Sequence, residues 1–351
     1  MTTTTEASET TTVELPPDRP AVLNRVVARP EVGALLGAVV VFVFFSIITT
    51  KFLKPLGIST WLDDASTLGI MAVAVAMLMI GGEFDLSTGV MTASTALITG
   101  LLAVHAGWNV WFALVVSLAF ALMVGALNGW VVMRTGLPSF IVTLGTFLAL
   151  QGLNLGVTRW ATGTVQVSGV RGADGYQSAG WVFASTTKIG SAGIKASVVW
   201  WIVVSVIAAI VLTRTRFGNW VFAVGGSLPT ARAVGVPATR TKILLFMTTA
   251  FAGWIVGACN LLRFASVQAN QGVGLEFQYI IAAVIGGCLL TGGFGSVVGA
   301  AIGALIFGMA RQGIVLAGWN SDWFMLFLGV LLFSAVLVNN AFKKRAERAR
   351  R

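Results

Sequence analysis

The sequence predicts an all-α fold, a polytopic transmembrane helical bundle of about ten spans with both the N- and C-termini cytoplasmic. Composition is the first reason: hydrophobic residues make up 56% of the 351 residues and charged residues 10%, against about 25% charged in ordinary globular domains. The second is a mean hydropathy of +0.88, spread over apolar runs long enough to cross a hydrocarbon core of about 30 Å. The third is that basic residues gather in short loops and tails, the asymmetry that orients spans across a membrane. Such a composition excludes a disordered chain and argues against a soluble enzyme.

Taken in order, residues 1–30 are expected to form a disordered cytoplasmic tail. The first twenty are Thr-rich, carry Glu6, Glu9, Glu14 and Asp18, and contain no apolar run, so burial cannot offset the entropy of ordering them. They lack the pattern of a signal peptide, in which a basic start leads at once into an apolar stretch and a small-residue cleavage site. The first span therefore reads as a retained anchor. A transmembrane domain is expected over 31–340, with spans near 32–50, 66–82, 86–104, 110–133, 138–158, 196–213, 241–263, 276–290, 296–316 and 323–340. Segments 66–82 and 276–290 are short and end in Gly81-Gly82 and Gly286-Gly287, the pattern of broken helices lining a cavity rather than full lipid-facing spans. Residues 341–351 are expected to be a basic cytoplasmic tail, since Lys343, Lys344, Arg345, Arg348, Arg350 and Arg351 cluster there.

Orientation follows from the short loops. With the N-terminus inside, Arg19, Arg25, Arg29, Arg134, Arg214, Arg216, Arg232, Arg240 and Lys242 join that tail on the cytoplasmic side, as the positive-inside bias requires. The long loop 159–195, with Tyr176 and Trp181, then faces outward. It is either a plain connector or a surface for a partner or a short interfacial helix.

The balance of 23 Lys plus Arg against 13 Asp plus Glu gives a net charge of +10. Nucleic acid is not the implied partner, because the densest basic run directly follows an apolar segment, where cytoplasmic retention and anionic membrane lipid account for it. Cys259 and Cys288 fall inside apolar runs, and a lone His105 cannot build a two-histidine zinc site. Neither H-E-x-x-H nor G-x-x-x-x-G-K-[ST] occurs, so no metal site and no catalytic residue is expected, and any ATP that drives the protein is bound by another chain.

Two polar segments stand out. The first is Gly82, Glu83, Phe84, Asp85, Leu86, Ser87, Thr88 and Gly89, joining the second and third spans. Carboxylates in an apolar region are expensive unless they reach water, a cation or a donor, which makes Glu83 and Asp85, with Gly82 and Ser87, candidates for a solute path or gate. Asp85 as a cap of the following helix is the other reading. The second segment is the loop after the sixth span. Ser227 is placed as an N-cap, Pro229 in a first turn, and Gly235 with Pro237 as a stop. One short cytoplasmic helix over Ser227, Leu228, Pro229, Thr230, Ala231, Arg232, Ala233, Val234 and Gly235 results. A helix so short is marginal alone in water and needs support, from a docked partner or from the bilayer surface.

Elsewhere Gly295, Gly299 and Gly303 recur at a spacing of four, which lets neighbouring backbones approach. An internal echo links Ile80-Gly81-Gly82 to Ile285-Gly286-Gly287, each followed by a Ser and a Gly-punctuated helix. Trp108, Trp319 and Trp323 lie near span ends, as interfacial anchors or as stacking surfaces for a solute.

These blocks resemble, in order, those of the membrane permeases of ABC-type sugar importers of the ribose, xylose, arabinose and galactose group. The resemblance covers residues from about 66 to 340. Gly82 to Gly89 is similar to that family's G-G-x-D-L-S-x-G. Asn128-Gly129 and then Leu137 to Thr146 are similar to its N-G and P-P-F-I-x-T-L-G-T stretch. Phe222 to Val236 looks like its Y-A-x-G-G-N-x-x-A-A-R-x-x-G-I loop, and Ile281 to Gly287 with Gly292 to Ser296 like its I-A-A-x-x-I-G-G and G-G-x-G-S. On that footing Asn128, Thr143, Thr146, Gly286 and Gly287 join the pathway or gating candidates, and residues 227 to 235 become the ATPase-coupling loop. Departures occur at Glu83, Ser139, Gln151 and Cys288, where the family pattern has Gly, Pro, Arg, and Thr or Ser. An extra carboxylate beside Asp85 favours a hydroxyl-rich polyol or pentose.

The resemblance implies a multi-pass plasma (inner) membrane subunit that binds no cofactor itself and forms the translocation pathway for a monosaccharide or related polyol. It implies two cytoplasmic ATPase domains that use ATP and Mg, a second permease copy or paralogue, and an extracytoplasmic sugar-binding protein. An ion-coupled secondary transporter of a small polar solute is the alternative, and would need ionisable groups near the midplane, whereas Glu83, Asp85, Glu276 and Asp322 sit at predicted span ends. An intramembrane enzyme has no catalytic constellation to draw on.

Overall fold

Proline and glycine punctuate the helices of this chain, seen in a computed structural model that describes residues 30–348. The order is α1 (Pro30–Ile48), α2 (Pro55–Ile80), α3 (Thr88–Val104), α4 (Val110–Thr135), α5 (Ser139–Thr162), α6 (Tyr176–Phe183), α7 (Ala196–Arg214), α8 (Arg216–Gly226), α9 (Leu228–Ala233), α10 (Ala238–Phe264), α11 (Leu275–Ile285), α12 (Val297–Leu316) and α13 (Trp323–Arg348). Pro55 opens α2 behind Lys54, Asn109 caps α4 by accepting from the Trp111 N–H, and Gly136 and Gly163 end α4 and α5 in the left-handed conformation. The tail expected over 1–30 lies outside the described residues except for Pro30, and the basic tail is helical as far as Arg348, continuing α13.

Among the described residues seven helices are long and apolar enough to cross a membrane: α1, α2, α4, α5, α7, α10 and α12. Three shorter apolar helices, Thr88–Val104, Leu275–Ile285 and Trp323–Leu337, fall on the remaining predicted segments. The protein is thus a polytopic helical membrane protein. The largest departure concerns the second segment, expected to be a short one over 66–82. It begins at Pro55, and 89% of its most apolar window is buried against 17% for α5, so α2 is the central rod of the bundle. Charges at 63 and 64 hid its first turns from hydropathy; ion pairs accommodate them instead of ending the helix.

The two broken ends are built alike. Gly81, Gly82 and Glu83 donate to the carbonyls of Met77, Met79 and Leu78 at 3.1, 2.9 and 3.1 Å; Gly286, Gly287 and Cys288 donate to those of Ala282, Val284 and Ala283 at 2.9, 2.9 and 3.0 Å. Gly82 and Gly287 occupy φ of 81° and 92°, the left-handed stop in which glycine avoids the Cβ penalty. The sequence echo is therefore a repeated structural motif. On α12, Gly299 lies against Gly286 and Gly303 against Ala282, so the spaced glycines set a backbone-to-backbone contact with α11, in the manner of small residues at helix interfaces in lipid. Gly295 precedes α12 in the loop that leads to it.

Residues 159–195 are more than a connector, and they carry strands that the all-helical prediction omitted. β1 (Gln166–Ser168) pairs antiparallel with β4 (Ser266–Gln268), with Val167 opposite Val267, and β2 (Thr186–Ile189) with β3 (Ala192–Lys195) forms a hairpin. Val167 and Val267 are both buried, and burial rather than length recruits such short strands. Tyr176, first residue of α6, donates its hydroxyl to the Leu262 carbonyl at 2.9 Å, docking the loop on α10. Trp108, Trp319 and Trp323 remain exposed beside helix ends.

Candidate functional site

The loop between α2 and α3 gathers most of the predicted pathway residues. Asp85 is buried, and each of its oxygens is engaged. Oδ1 accepts from the Ser87 N–H at 2.9 Å and the Ser87 hydroxyl at 2.6 Å; Oδ2 accepts from the Thr249 hydroxyl of α10 at 2.8 Å. Accepting from the N–H two residues on is an Asx turn, which folds the loop at the entrance of α3. Burial pushes the Asp85 carboxyl above its ordinary value, and the Ser87 and Thr249 hydrogen bonds oppose that shift.

The network continues outward. Asn128 of α4 donates its amide to the Ser87 hydroxyl at 3.2 Å and accepts from the Thr146 hydroxyl of α5 at 2.6 Å. Thr143 accepts from the Leu86 N–H at 3.1 Å, and Ser139 from the Phe84 N–H at 3.0 Å. Asp85, Ser87, Asn128, Thr143 and Thr146 thus meet in one polar nexus that ties α3, α4, α5 and α10 to a single loop, while Gly82 lies outside it at the start of that loop, against Gly225. Gly286 and Gly287 do not join it; they end α11 where it packs on α12.

Glu83 has a different partner. Its carboxylate forms a buried ion pair with Lys242, the two side chains being 10% and 7% exposed. Lys242, inside the margin of the span expected over 241–263, is helical. It lies in the first turns of α10, which begins at Ala238 rather than 241. Sequence reasoning also passed over Thr249, an unremarkable hydroxyl in an apolar run. Lys242 carried a legible signal, a lone cation inside the margin of a predicted span.

The loop after α7 forms two helices where one was expected. Thr215 caps α8 by accepting from the Gly218 N–H at 3.3 Å, and Ser227 caps α9 by accepting from the Thr230 N–H at 3.4 Å. Leu228 and Pro229 form the first turn of α9. Ala231 is buried with Val224 and Ala238, which supplies the support that so short a helix needs. Arg232, Ala233, Val234 and Gly235 face outward, and Gly235 at φ 82° ends the segment.

At the far end of α2 a second charge cluster closes the bundle. Arg263 of α10 grips Asp63 with both terminal nitrogens, at 2.9 and 2.8 Å, and Lys195 reaches the same carboxylate at 2.5 Å. Asp64 accepts from Gln312 of α12 at 2.5 Å. No group of three or more His, Cys, Asp or Glu side chains that could hold a metal ion occurs among the described residues.

Residues 57–336 match the family model described as branched-chain amino acid transport system / permease component. The chain belongs to that permease family. It is similar to the xylose transport system permease protein XylH of Escherichia coli (strain K12), 29% identical over 90% of this chain and 93% of the relative. It is 30% identical to the probable ABC transporter permease protein YphD of the same organism, over 96% and 98% of the two chains. Against the ribose import permease protein RbsC of Bacillus subtilis (strain 168) the figures are 28%, 88% and 92%. No solved structure matches the chain. The resemblance read from the sequence blocks is borne out, and this chain is a multi-pass permease subunit of an ABC transport system rather than an enzyme.

Proposed function

We propose that the chain is the permease of an ATP-binding-cassette importer for a monosaccharide or related polyol, residing in the plasma (inner) membrane with both termini cytoplasmic. Two separate ATPase domains, using ATP and Mg that this chain does not bind, drive alternating access by pushing on α9. A second permease copy or paralogue completes the pathway, and an extracytoplasmic sugar-binding protein delivers the solute at the face carrying 159–195. The observation that supports the coupling role best is the build of α9: capped by Ser227, anchored through buried Ala231, and presenting exposed Arg232. The names of the xylose and ribose relatives favour a sugar. The nexus of Asp85, Ser87, Asn128, Thr143 and Thr146, with Gly82, Glu83, Gly286 and Gly287, is proposed as gate and framework of the path. Because Glu83 is ion-paired, it acts there through Lys242 rather than as a free ligand for solute hydroxyls.

The test is uptake of labelled pentoses and polyols into proteoliposomes that hold the chain with its ATPase and binding-protein partners. Uptake that requires ATP hydrolysis and the binding protein is the expected result. Uptake that survives ATP depletion and collapses with an uncoupler would replace this reading with an ion-coupled secondary transporter.

A further inference from the structure

Three loops of this chain meet backbone to backbone at one point. The end of α2, the end of α8 and the loop before α12 come together through Ile80 to Gly82, Gly225-Gly226 and Gly292-Gly293. The Gly293 N–H donates to the Ile80 carbonyl at 2.9 Å. A side chain on Gly225 would fall on that same carbonyl oxygen and 2.8 Å from the Gly293 nitrogen; one on Gly292 would lie 2.7 Å from the Gly82 Cα. Gly82 and Gly292 hold φ of 81° and 78°, so the loops approach in conformations that glycine alone adopts without strain. Beside this junction lies the buried Glu83–Lys242 ion pair, which fastens the same loop to the start of α10. The segment 216–242, with α9 at its tip, is thus held on both sides to the broken end of α2.

We infer that the Glu83–Lys242 pair and the Gly225 backbone junction make loop 81–87, segment 216–242 and the turn 291–293 a single moving part, so that displacement of α9 reaches the polar nexus undiminished. This deepens, and rests on, the proposed role of α9 in coupling. Side-chain contacts absorb small shifts by changing rotamer, but touching backbones have no such compliance, and packed elements respond by moving together. Separating the ion pair would strand a desolvated charge. The same loop holds the first turn of α5 through Ser139 and Thr143, so the displacement is delivered to the least buried of the long spans. Gly225, Glu83 and Lys242 are positioning residues: they carry force to the path and need not touch solute.

The experiment uses the complete transporter in proteoliposomes and reads ATP hydrolysed per solute carried, alongside assembly. Gly225→Ala and Lys242→Met are expected to raise that ratio about tenfold, a coupling loss of the usual allosteric size, with the complex still assembled. The exchanged pair Glu83→Lys with Lys242→Glu should restore part of it, which a merely structural role would not predict. Gly145→Ala, where an added methyl meets nothing within 4 Å, serves as the control. Assembled variants with an unchanged ratio overturn the inference. Should the variants fail to assemble, spin labels at Asn219→Cys and Thr291→Cys, both exposed positions, decide it in the otherwise native chain. Their separation stays constant between nucleotide-free and nucleotide-trapped states if the part moves as one, and a changed separation refutes it. A native complex without ATP-dependent uptake would instead sink the transport reading itself.

Discussion

Asp63→Asn is the sharpest test of how the bundle is closed at the end away from α9. The carboxylate is 9% exposed and serves two cations, Lys195 at 26% and Arg263 at 31% side-chain exposure. Breaking a fully buried pair by removing one partner costs about 3–5 kcal/mol, whereas exposed pairs contribute about 0–1 kcal/mol. Both cations here are a quarter to a third hydrated, so the expected loss lies between these limits, about 2 kcal/mol. Asp64→Asn is the matched control. Its Arg311 partner is 53% exposed and 3.9 Å away, and an asparagine oxygen can still accept from Gln312, so the loss should stay under about 0.5 kcal/mol. Thermal unfolding of the detergent-solubilised protein, followed by tryptophan fluorescence, should fall by several degrees for Asp63→Asn and hardly move for Asp64→Asn. Equal shifts for the two, or an unshifted Asp63→Asn, would refute the reasoning that burial and the two-pronged Arg263 contact set the value.

Gly303→Ala places a methyl on the Ala282 carbonyl and 3.0 Å from the Gly286 nitrogen; it should lower stability by about 1–3 kcal/mol, as overpacking does, measured by the same thermal assay. Thr249→Val removes the donor to Asp85 Oδ2 and should cost about 1.5–3 kcal/mol, the range for hydrogen bonds to charged groups, read as accelerated thermal inactivation. Arg232→Glu changes an exposed side chain on α9; membrane insertion and thermal stability should be unaffected, while uptake falls about tenfold or more through lost charge complementarity with the ATPase. Full uptake in that variant would remove Arg232 from the coupling contact.

Hydropathy reads what a residue prefers, and so it located the lipid-facing spans and missed what depends on a partner. The ten apolar segments were legible because each is a continuous run. The first turns of α2 were not, because Asp63 and Asp64 look like a boundary until Lys195, Arg263 and Gln312 are known to meet them. The partner of Lys242 was hidden for the same reason: a lone cation at a span margin is legible, but the carboxylate that meets it is distant in sequence. Ser227 as a cap and Gly235 as a stop were legible because both act locally. The division of 216–233 into two helices was hidden, since nothing in the sequence around Gly225-Gly226 shows the Ile80 carbonyl that lies against it. Strands β1 and β4 are three residues each and come from loops far apart in sequence, so neither carries a period long enough to detect.

The two ends of α2 are fastened by opposite chemistries. At the Asp63 end the partners keep part of their hydration, so ion pairs hold without the full desolvation penalty. At the Ile80 end backbone meets backbone in a half-buried junction of three loops, where the Gly293 N–H satisfies the Ile80 carbonyl and glycine lets the loops approach closely enough to do so. Between the two lie residues 64–79 of the helix, a rise of about 26 Å at 1.5 Å per residue, packed along most of its length against α12, α7 and α10. A rod this long and this enclosed has little room to bend, so a shift imposed at the glycine junction must be met either by movement at the Asp63 clasp or by strain along α2. The clasp holds the hairpin strand β3 and the end of α10, so movement there would be shared by both. Partial hydration of Lys195 and Arg263 lowers the cost of parting that clasp below the cost of separating a fully buried pair.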